Sequence, residues 1–276
     1  MPTPTLRSIL VGEFLGTLLL IVLGNGVVAS ENLLDKQADW IVITTGWALA
    51  VTLGVYVSGR LSGGHLNPAV TLALAARGEV AWSALIPYWA AQLAGAFCGA
   101  MIVYADYSAA FTAFEQSNHI ARGALLDGML SGPAAGGAGV FATYPKFEGL
   151  TGNLFSEFLG TAVLLFGVRA VTDRRNAAPM MNLEPLLIGA IVWSIGLSLG
   201  GLTGYAINPA RDLGPRLASC LLGWGPSVFI SHGSYFWVPL VAPLAGGLFG
   251  VFLYDFAIHR ELPAPAEPTP AGRLSP

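Results

Sequence analysis

Apolar residues along this chain fall into long unbroken runs rather than the stripes of an amphipathic helix. Six runs, near 8–29, 40–59, 82–104, 154–172, 185–201 and 236–257, are each long enough to cross a hydrocarbon core of ~30 Å as a helix. Two more, 67–77 and 208–219, are too short. At ~1.5 Å per residue they reach ~17 Å, about half the core. Each opens on Asn-Pro and follows a Gly-containing loop. Half-length helices that start from irregular backbone are tolerated in a membrane only where they line a cavity or lie within protein. The pattern predicts an all-α membrane protein with six transmembrane helices and two half-helices.

Composition sharpens this picture. The 276 residues are 54% hydrophobic and 11% charged, against about 25% charged in a soluble domain. So few charges cannot cover a water-facing globule, and the lipid bilayer is the expected surrounding. A net charge of -3 gives no reason to expect a nucleic-acid partner. Cys98 and Cys220 sit in apolar surroundings and are expected to be free buried thiols. With the N-terminus inside, Arg7, Arg60, Arg77, Arg169, Arg174, Arg175, Arg260 and Arg273 fall on the cytoplasmic side and Lys36, Arg122, Lys146, Arg211 and Arg216 outside. That bias favours both termini in the cytoplasm of a cell bounded by this membrane.

The chain is also written twice. GEFLGTLLL at 12–20 returns as SEFLGTAVLL at 156–165, LSGGHLNPAV at 61–70 as LTGYAINPAR at 202–211, and AQLAGAFCG at 91–99, more loosely, as APLAGGLFG at 242–250. The expected organisation is one membrane domain: a first repeat over about 8–104, a loop over 105–153, a second repeat over about 154–257, and a Pro-rich disordered tail over 261–276. Three spans per copy make the second copy enter the membrane from the opposite side. Such an inverted repeat brings its broken helices face to face near the midplane.

Asn-Pro-Ala at that meeting point has a physical rationale. Asn67 and Asn208 are N-caps, and Pro68 and Pro209 occupy the first helical position, where a missing N–H loses nothing. Ala69 and Ala210 are small enough to let the two helix ends approach. Each Asn oxygen is expected to cap its own helix, which leaves the amide NH2 as a fixed donor toward a narrow path. The helix N-termini add partial positive charge. The centre should accept neutral oxygen, repel cations and make passing water donate outward on both sides. The loops before each Asn, Gly63, Gly64, His65 and Leu66 in one copy and Gly204, Tyr205, Ala206 and Ile207 in the other, are expected to line the path with carbonyls.

Glu13 and Glu157 hold equivalent places in the two first spans. Buried carboxyls in a membrane are functional suspects, for instance as proton relays. Here bracing is the stronger reading, because the irregular loops leave N–H groups that need acceptors. His65 is expected to brace its loop as well. No cluster of His, Cys and carboxylates points to a metal, nothing calls for a cofactor, and no nucleophile–base set points to an enzyme.

The twin NPA motifs, the three-span repeat and EFLGT resemble the major intrinsic protein family, the aquaporins, and within it the glycerol facilitator (aquaglyceroporin) branch. That branch carries Asp after NPAR, as in NPARDLGPR at 208–216; FEQSNHIARG at 114–123, ATYP at 142–145, Arg216 and Pro239-Leu240 are further points of similarity. The insert ALLDGMLSGPAAGGAGVF at 124–141 departs from the pattern. The resemblance implies a homotetramer with one pore per subunit, conducting glycerol, other small polyols and some water. It implies a selectivity filter of Trp47, Gly196, Tyr205 and Arg211. Arg211 would donate to solute hydroxyls, with Asp212 balancing its charge. Trp47 and Tyr205 would face the solute's carbon side. Gly196, where water-selective relatives usually carry His, would leave the slot open on that side. The Tyr205 hydroxyl is the departure here, and if it closes the slot the reading shifts to a mainly water-conducting channel. A proton-coupled transporter using Glu13 and Glu157 is the competing class.

Overall fold

The computed structural model describes residues 4–34, 39–130, 137–176 and 182–263. The long helices are α1 (Leu6–Leu33), α2 (Trp40–Ser62), α4 (Leu85–Ser117), α5 (Leu150–Thr172) and α9 (Val238–Ala257). α6 (Glu184–Leu199) has 16 residues and spans ~24 Å. Two short helices, α3 (Pro68–Ala76) and α7 (Pro209–Ser219), begin at the Asn-Pro pairs, and α8 (Ser227–Ser234) precedes α9. The chain is a multi-span all-α membrane protein: among the described residues five helices are long and apolar enough to cross, and α6 is a shorter apolar helix. Large apolar side chains such as Leu15, Leu53, Ile86, Leu197 and Phe252 are exposed on the outside, where a bilayer rather than water suits them.

One predicted boundary is corrected. The expected loop over 105–153 begins as helix, because α4 continues to Ser117. At 33 residues α4 is ~50 Å long, too long to lie within the core. The hydropathy falls after Tyr104, but YADYSAAFTAFE contains neither Gly nor Pro to stop a helix. The extension is anchored by Phe111, which is fully buried. Phe111 stacks on Phe141 with ring centroids 5.5 Å apart, and Trp224 meets both edge-on. Arg122 grips Glu115 at 2.7 and 2.8 Å and lies 4.5 Å from the Trp224 ring. The insert at 124–141, whose residues 131–136 lie outside the described part, thus ends in a buried anchor. The expected disordered tail lies, from 264 onward, outside the described residues.

The two halves use the same packing. α1 packs on α2 and α4, as α5 packs on α6 and α9, while α3 lies on α9 and α7 on α4. Backbones touch where glycine removes the side chain. A Cβ on Gly95 would overlap the Phe14 carbonyl, and one on Gly99 would come 2.8 Å from the Leu18 carbonyl. The second half repeats this: Cβ atoms on Gly246 and Gly250 would overlap the carbonyls of Phe158 and Ala162. The Gly95/Gly99 and Gly246/Gly250 pairs are therefore used in packing within the chain. Cys98 and Cys220 are free.

Replacing Gly246 by Leu should destabilise the protein severely, by at least the ~1–3 kcal/mol of an overpacked core, because the Phe158 backbone cannot yield. A fall in the detergent unfolding temperature, far larger than for Leu at Gly59, where an added Cβ would meet nothing within 4 Å, is the expected measurement.

Candidate functional site

The two half-helices meet tip to tip, and the meeting is reciprocal. Asn67 is extended (φ -155°) and its Oδ1 accepts from Ala69 N at 2.9 Å. Its Nδ2 donates across to the Ile207 carbonyl at 2.8 Å. Asn208 has the same φ of -155°. Its Oδ1 accepts from Ala210 N and Arg211 N at 3.0 and 3.2 Å, and its Nδ2 donates to the Leu66 carbonyl at 2.7 Å. Each amide therefore caps its own helix and ties itself to the opposite loop. One hydrogen of each NH2 is spent on that tie, and the other is left for the path. Pro68 and Pro209 sit at the first turn, and Ala69 and Ala210 are buried beneath the contact.

The loops leading into the tips cannot be helical. Gly63 ends α2 in the left-handed region (φ 94°) with its N–H on the Gly59 carbonyl, the usual glycine termination. More costly are three side-chain-bearing residues at positive φ: Leu66 at 52°, Tyr205 at 40° and Ile207 at 43°. A β-branched residue there is a genuine outlier. The glutamates hold these turns. Glu13 Oε1 accepts from His65 N at 3.0 Å and Oε2 from Leu66 N at 2.7 Å, while Ser62 Oγ and Gln92 Nε2 fill the remaining lone pairs. Glu157 takes Ala206 N at 3.0 Å and Ile207 N at 2.8 Å. Both carboxyls are fully buried. His65 stacks on Tyr88 with centroids 4.5 Å apart, and its Nδ1 is 3.2 Å from Thr71 Oγ1.

A cavity of about 1030 Å³ runs from the N-terminal end of α1, past the two Asn side chains, to Trp47, Tyr205 and Arg211. Its lining is of two kinds: the loop residues Gly63, Gly64, His65, Leu66, Ala206 and Ile207, and aliphatic side chains including Val51, Val55, Leu164 and Val192. Gly204 lies outside it, facing Thr143. The carbonyls of Leu66 and Ile207 are engaged by the Asn amides, so they are only partly available as acceptors.

At the far end, three expectations change. First, Gly196 leaves no open side and does not line the cavity. A Cβ there would stand 2.9 Å from Tyr205 Cζ and 2.9 Å from the Thr44 methyl, so the Tyr205 ring fills the vacated space. Second, Trp47 and Arg211 do not oppose each other across a slot. The guanidinium lies 4.1 Å from the Trp47 ring centroid, a cation–π contact, and Nη1 donates to the Phe141 carbonyl at 3.3 Å. Third, Asp212 serves Arg216 rather than Arg211. Arg216 Nε is 2.8 Å from Asp212 Oδ1, an i,i+4 pair on one helix face, and both are buried. Asp212 Oδ2 accepts from Thr143 N and Oγ1 at 2.9 and 2.8 Å. Arg216 also donates to the carbonyls of Val228 and Thr143 and lies over the Tyr144 ring.

Phe141 and Thr143 escaped sequence reasoning. Backbone acceptors have no residue signature, and only the ATYP similarity and Arg216 hinted that the two segments meet. Among the described residues no group of three His, Cys, Asp or Glu side chains is placed to hold a metal.

The model of the family described as "Major intrinsic protein" matches residues 3–254. The chain belongs to the major intrinsic protein family. It is 46% identical over 252 residues to the probable glycerol uptake facilitator protein of Thermotoga maritima, covering 90% of this chain and 99% of that one. It is 41% identical over 273 residues to the glycerol uptake facilitator protein of Pseudomonas aeruginosa, covering 98% and 95%. Its fold is similar to the crystal structure of the aquaglyceroporin from Plasmodium falciparum, with a TM-score of 0.80, 34% identity, and coverage of 92% and 97%. Within this family the similarity is thus to the glycerol facilitator branch.

The glutamate contacts give a test. Both oxygens of Glu157 accept from backbone N–H groups, so Glu157→Gln sets an NH2 donor against a donor and orphans one buried N–H. The expected loss is ~1–3 kcal/mol, seen as a lower unfolding temperature, with solute permeability retained at neutral pH. Complete loss of transport in a well-folded Gln variant would instead indicate a proton relay.

Proposed function

We propose that the protein is a passive channel, not an enzyme, for glycerol and related small uncharged solutes, with some water permeability and with ions and protons excluded. The observation that carries this reading is the mixed lining of the path: the two irregular loops and the Asn67 and Asn208 amides supply polar groups, and aliphatic side chains supply an apolar surface. A polyol has the same two kinds of surface, hydroxyls and a carbon chain. Each hydroxyl can trade its water for a fixed partner while the CH groups slide on the apolar wall. Fixed partners stand in for solvent, so the barrier stays low without coupling to an energy source. The similarity to glycerol facilitators and aquaglyceroporins points the same way.

Exclusion of cations follows from charge. Two helix N-termini each carry about half a positive charge toward the centre, and Arg211 adds a full one near the far end. Proton passage is opposed because a water between the two Asn amides accepts from both and must donate outward.

The same reading places the chain in the plasma (inner) membrane with both termini in the cytoplasm. It assembles it as a homotetramer with one pore per subunit, in line with the basic-residue bias and the family resemblance. Trp47, Tyr205 and Arg211 form the selectivity filter, with Gly196 as the seat of Tyr205.

Stopped-flow light scattering of proteoliposomes with glycerol, urea and water tests the function. Glycerol equilibration should be accelerated well above protein-free vesicles, and planar bilayers should show no glycerol-dependent current. Folded protein that moves water but no glycerol would overturn the polyol assignment. A glycerol-dependent proton current would overturn the passive pore.

A further inference from the structure

Tyr205 raises a problem of positioning. Among the described residues its buried hydroxyl has no hydrogen-bond partner, and its backbone is in the left-handed region. Neither the hydroxyl nor a regular backbone fixes the ring, so packing must. One face lies on the end of α6. Besides the Gly196 contact, a Cβ on Gly200 would overlap Tyr205 Cδ1. That helix end is soft, because SLGGLTG at 198–204 is poor in helix-forming residues.

Trp40, at the start of α2, supplies the missing rigidity. Its ring meets Tyr205 edge-on, with centroids 5.8 Å apart and planes at 79°. Its indole N–H donates to the Gly196 carbonyl at 3.0 Å. A Cβ on Gly200 would also come 2.8 Å from Trp40 Cζ2. Thr44, one turn along α2, donates to the Trp40 carbonyl at 2.9 Å and sets its methyl against the Gly196 position. One side chain therefore ties α2 to α6 and walls the aromatic ring at the same time. Trp40 is 37% exposed on the outer surface and does not line the cavity, so it acts without touching the solute.

We propose that Trp40 is the positioning residue of the constriction: by holding the Gly196 carbonyl and the edge of Tyr205, it fixes how far the Tyr205 ring stands from Trp47 and Arg211, and so the size of polyol that passes. The inference rests on the polyol-channel reading above. Trp40→Ala removes both the wall and the tie. Trp40→Phe keeps a ring edge and loses only the N–H donor.

The test compares water, glycerol and the four-carbon polyol erythritol in proteoliposomes of matched protein content. The chains are wild type, Trp40→Ala, Trp40→Phe, Tyr205→Ala and the Trp40→Ala/Tyr205→Ala pair. Trp40→Ala should shift the erythritol-to-glycerol permeability ratio upward by about two- to tenfold, the range an aromatic pair can supply, with water flux little changed. Trp40→Phe should shift it less. In the Tyr205→Ala background, Trp40→Ala should add nothing further, as expected of residues acting through one another. A merely structural Trp40 would lower all three fluxes in proportion and leave the ratio fixed, which would overturn the proposal. An equal shift in the Tyr205→Ala background would overturn it too. If Trp40→Ala does not fold, the Trp40→Phe ratio decides, and an unchanged ratio counts against the proposal. A wild-type protein that passes no glycerol is a distinct result, because it removes the channel reading itself.

Discussion

Everything in this fold depends on feeding acceptors to backbone N–H groups that cannot be helical inside a membrane. The half-helices α3 and α7 can start near the midplane only if the chain reaches that depth as irregular backbone. In hydrocarbon an unpaired N–H costs several kcal/mol. Glu13 and Glu157 meet this need with two N–H bonds each at 2.7–3.0 Å. They also make strained backbone tenable. Leu66, Tyr205 and Ile207 at positive φ cost of order 1–3 kcal/mol each and persist because a buried carboxyl grips the peptide at or next to each of them. The strained loops bring Leu66 and Ile207 to the cavity lining, with their carbonyls held by the opposite Asn amides.

The reciprocal Asn contacts then join the halves. Each amide donates to the carbonyl of the residue just before the other Asn, so the position of one tip is defined by the loop of the other. The glycine seats extend the reciprocity to the spans: Gly95 on Phe14 and Gly246 on Phe158 are the same contact made twice. A displacement in one repeat cannot be absorbed locally, since both tips, both loops and both carboxyls form one closed set of short hydrogen bonds.

Much of this was legible in the sequence because it is carried by residue types with few alternatives. Asn-Pro at the start of a run too short to span could only be a capped half-helix, and a Glu in the first span of each copy had to answer for the loop N–H groups. What stayed hidden was set by contact rather than composition. Gly196 reads as empty space until the Tyr205 ring is seen to occupy it. Asp212 reads as the partner of its neighbour Arg211, but adjacent helical residues point apart, and Arg216 at i+4 shares its face. The run of α4 to Ser117 was missed because hydropathy marks where lipid ends, not where a helix does. Trp40 carries no signal in the sequence, and only its contact with the Gly196 carbonyl gives it a role.

The charges around α7 show how a cation can be kept available in an apolar setting. Placing an Arg at the centre of a membrane helix costs about 2.5–3.5 kcal/mol, and the simplest relief would be a carboxylate beside it. Asp212 is next in sequence, yet its oxygens are taken by Arg216 and Thr143. The three charged residues of α7 therefore sum to one positive charge, and that surplus resides on Arg211. Stacking on Trp47 stabilises the guanidinium through its face while leaving the in-plane N–H groups free of the ring. One of them meets the Phe141 carbonyl. A guanidinium held by its face and one edge keeps donors for a passing oxygen, whereas one bound bidentately to Asp212 would commit two of its five N–H groups and form a neutral pair. Arg216 thus bears on the pore at a distance: it takes the Asp212 oxygen that a salt bridge to Arg211 would need, and the Arg211 guanidinium bonds a backbone carbonyl instead.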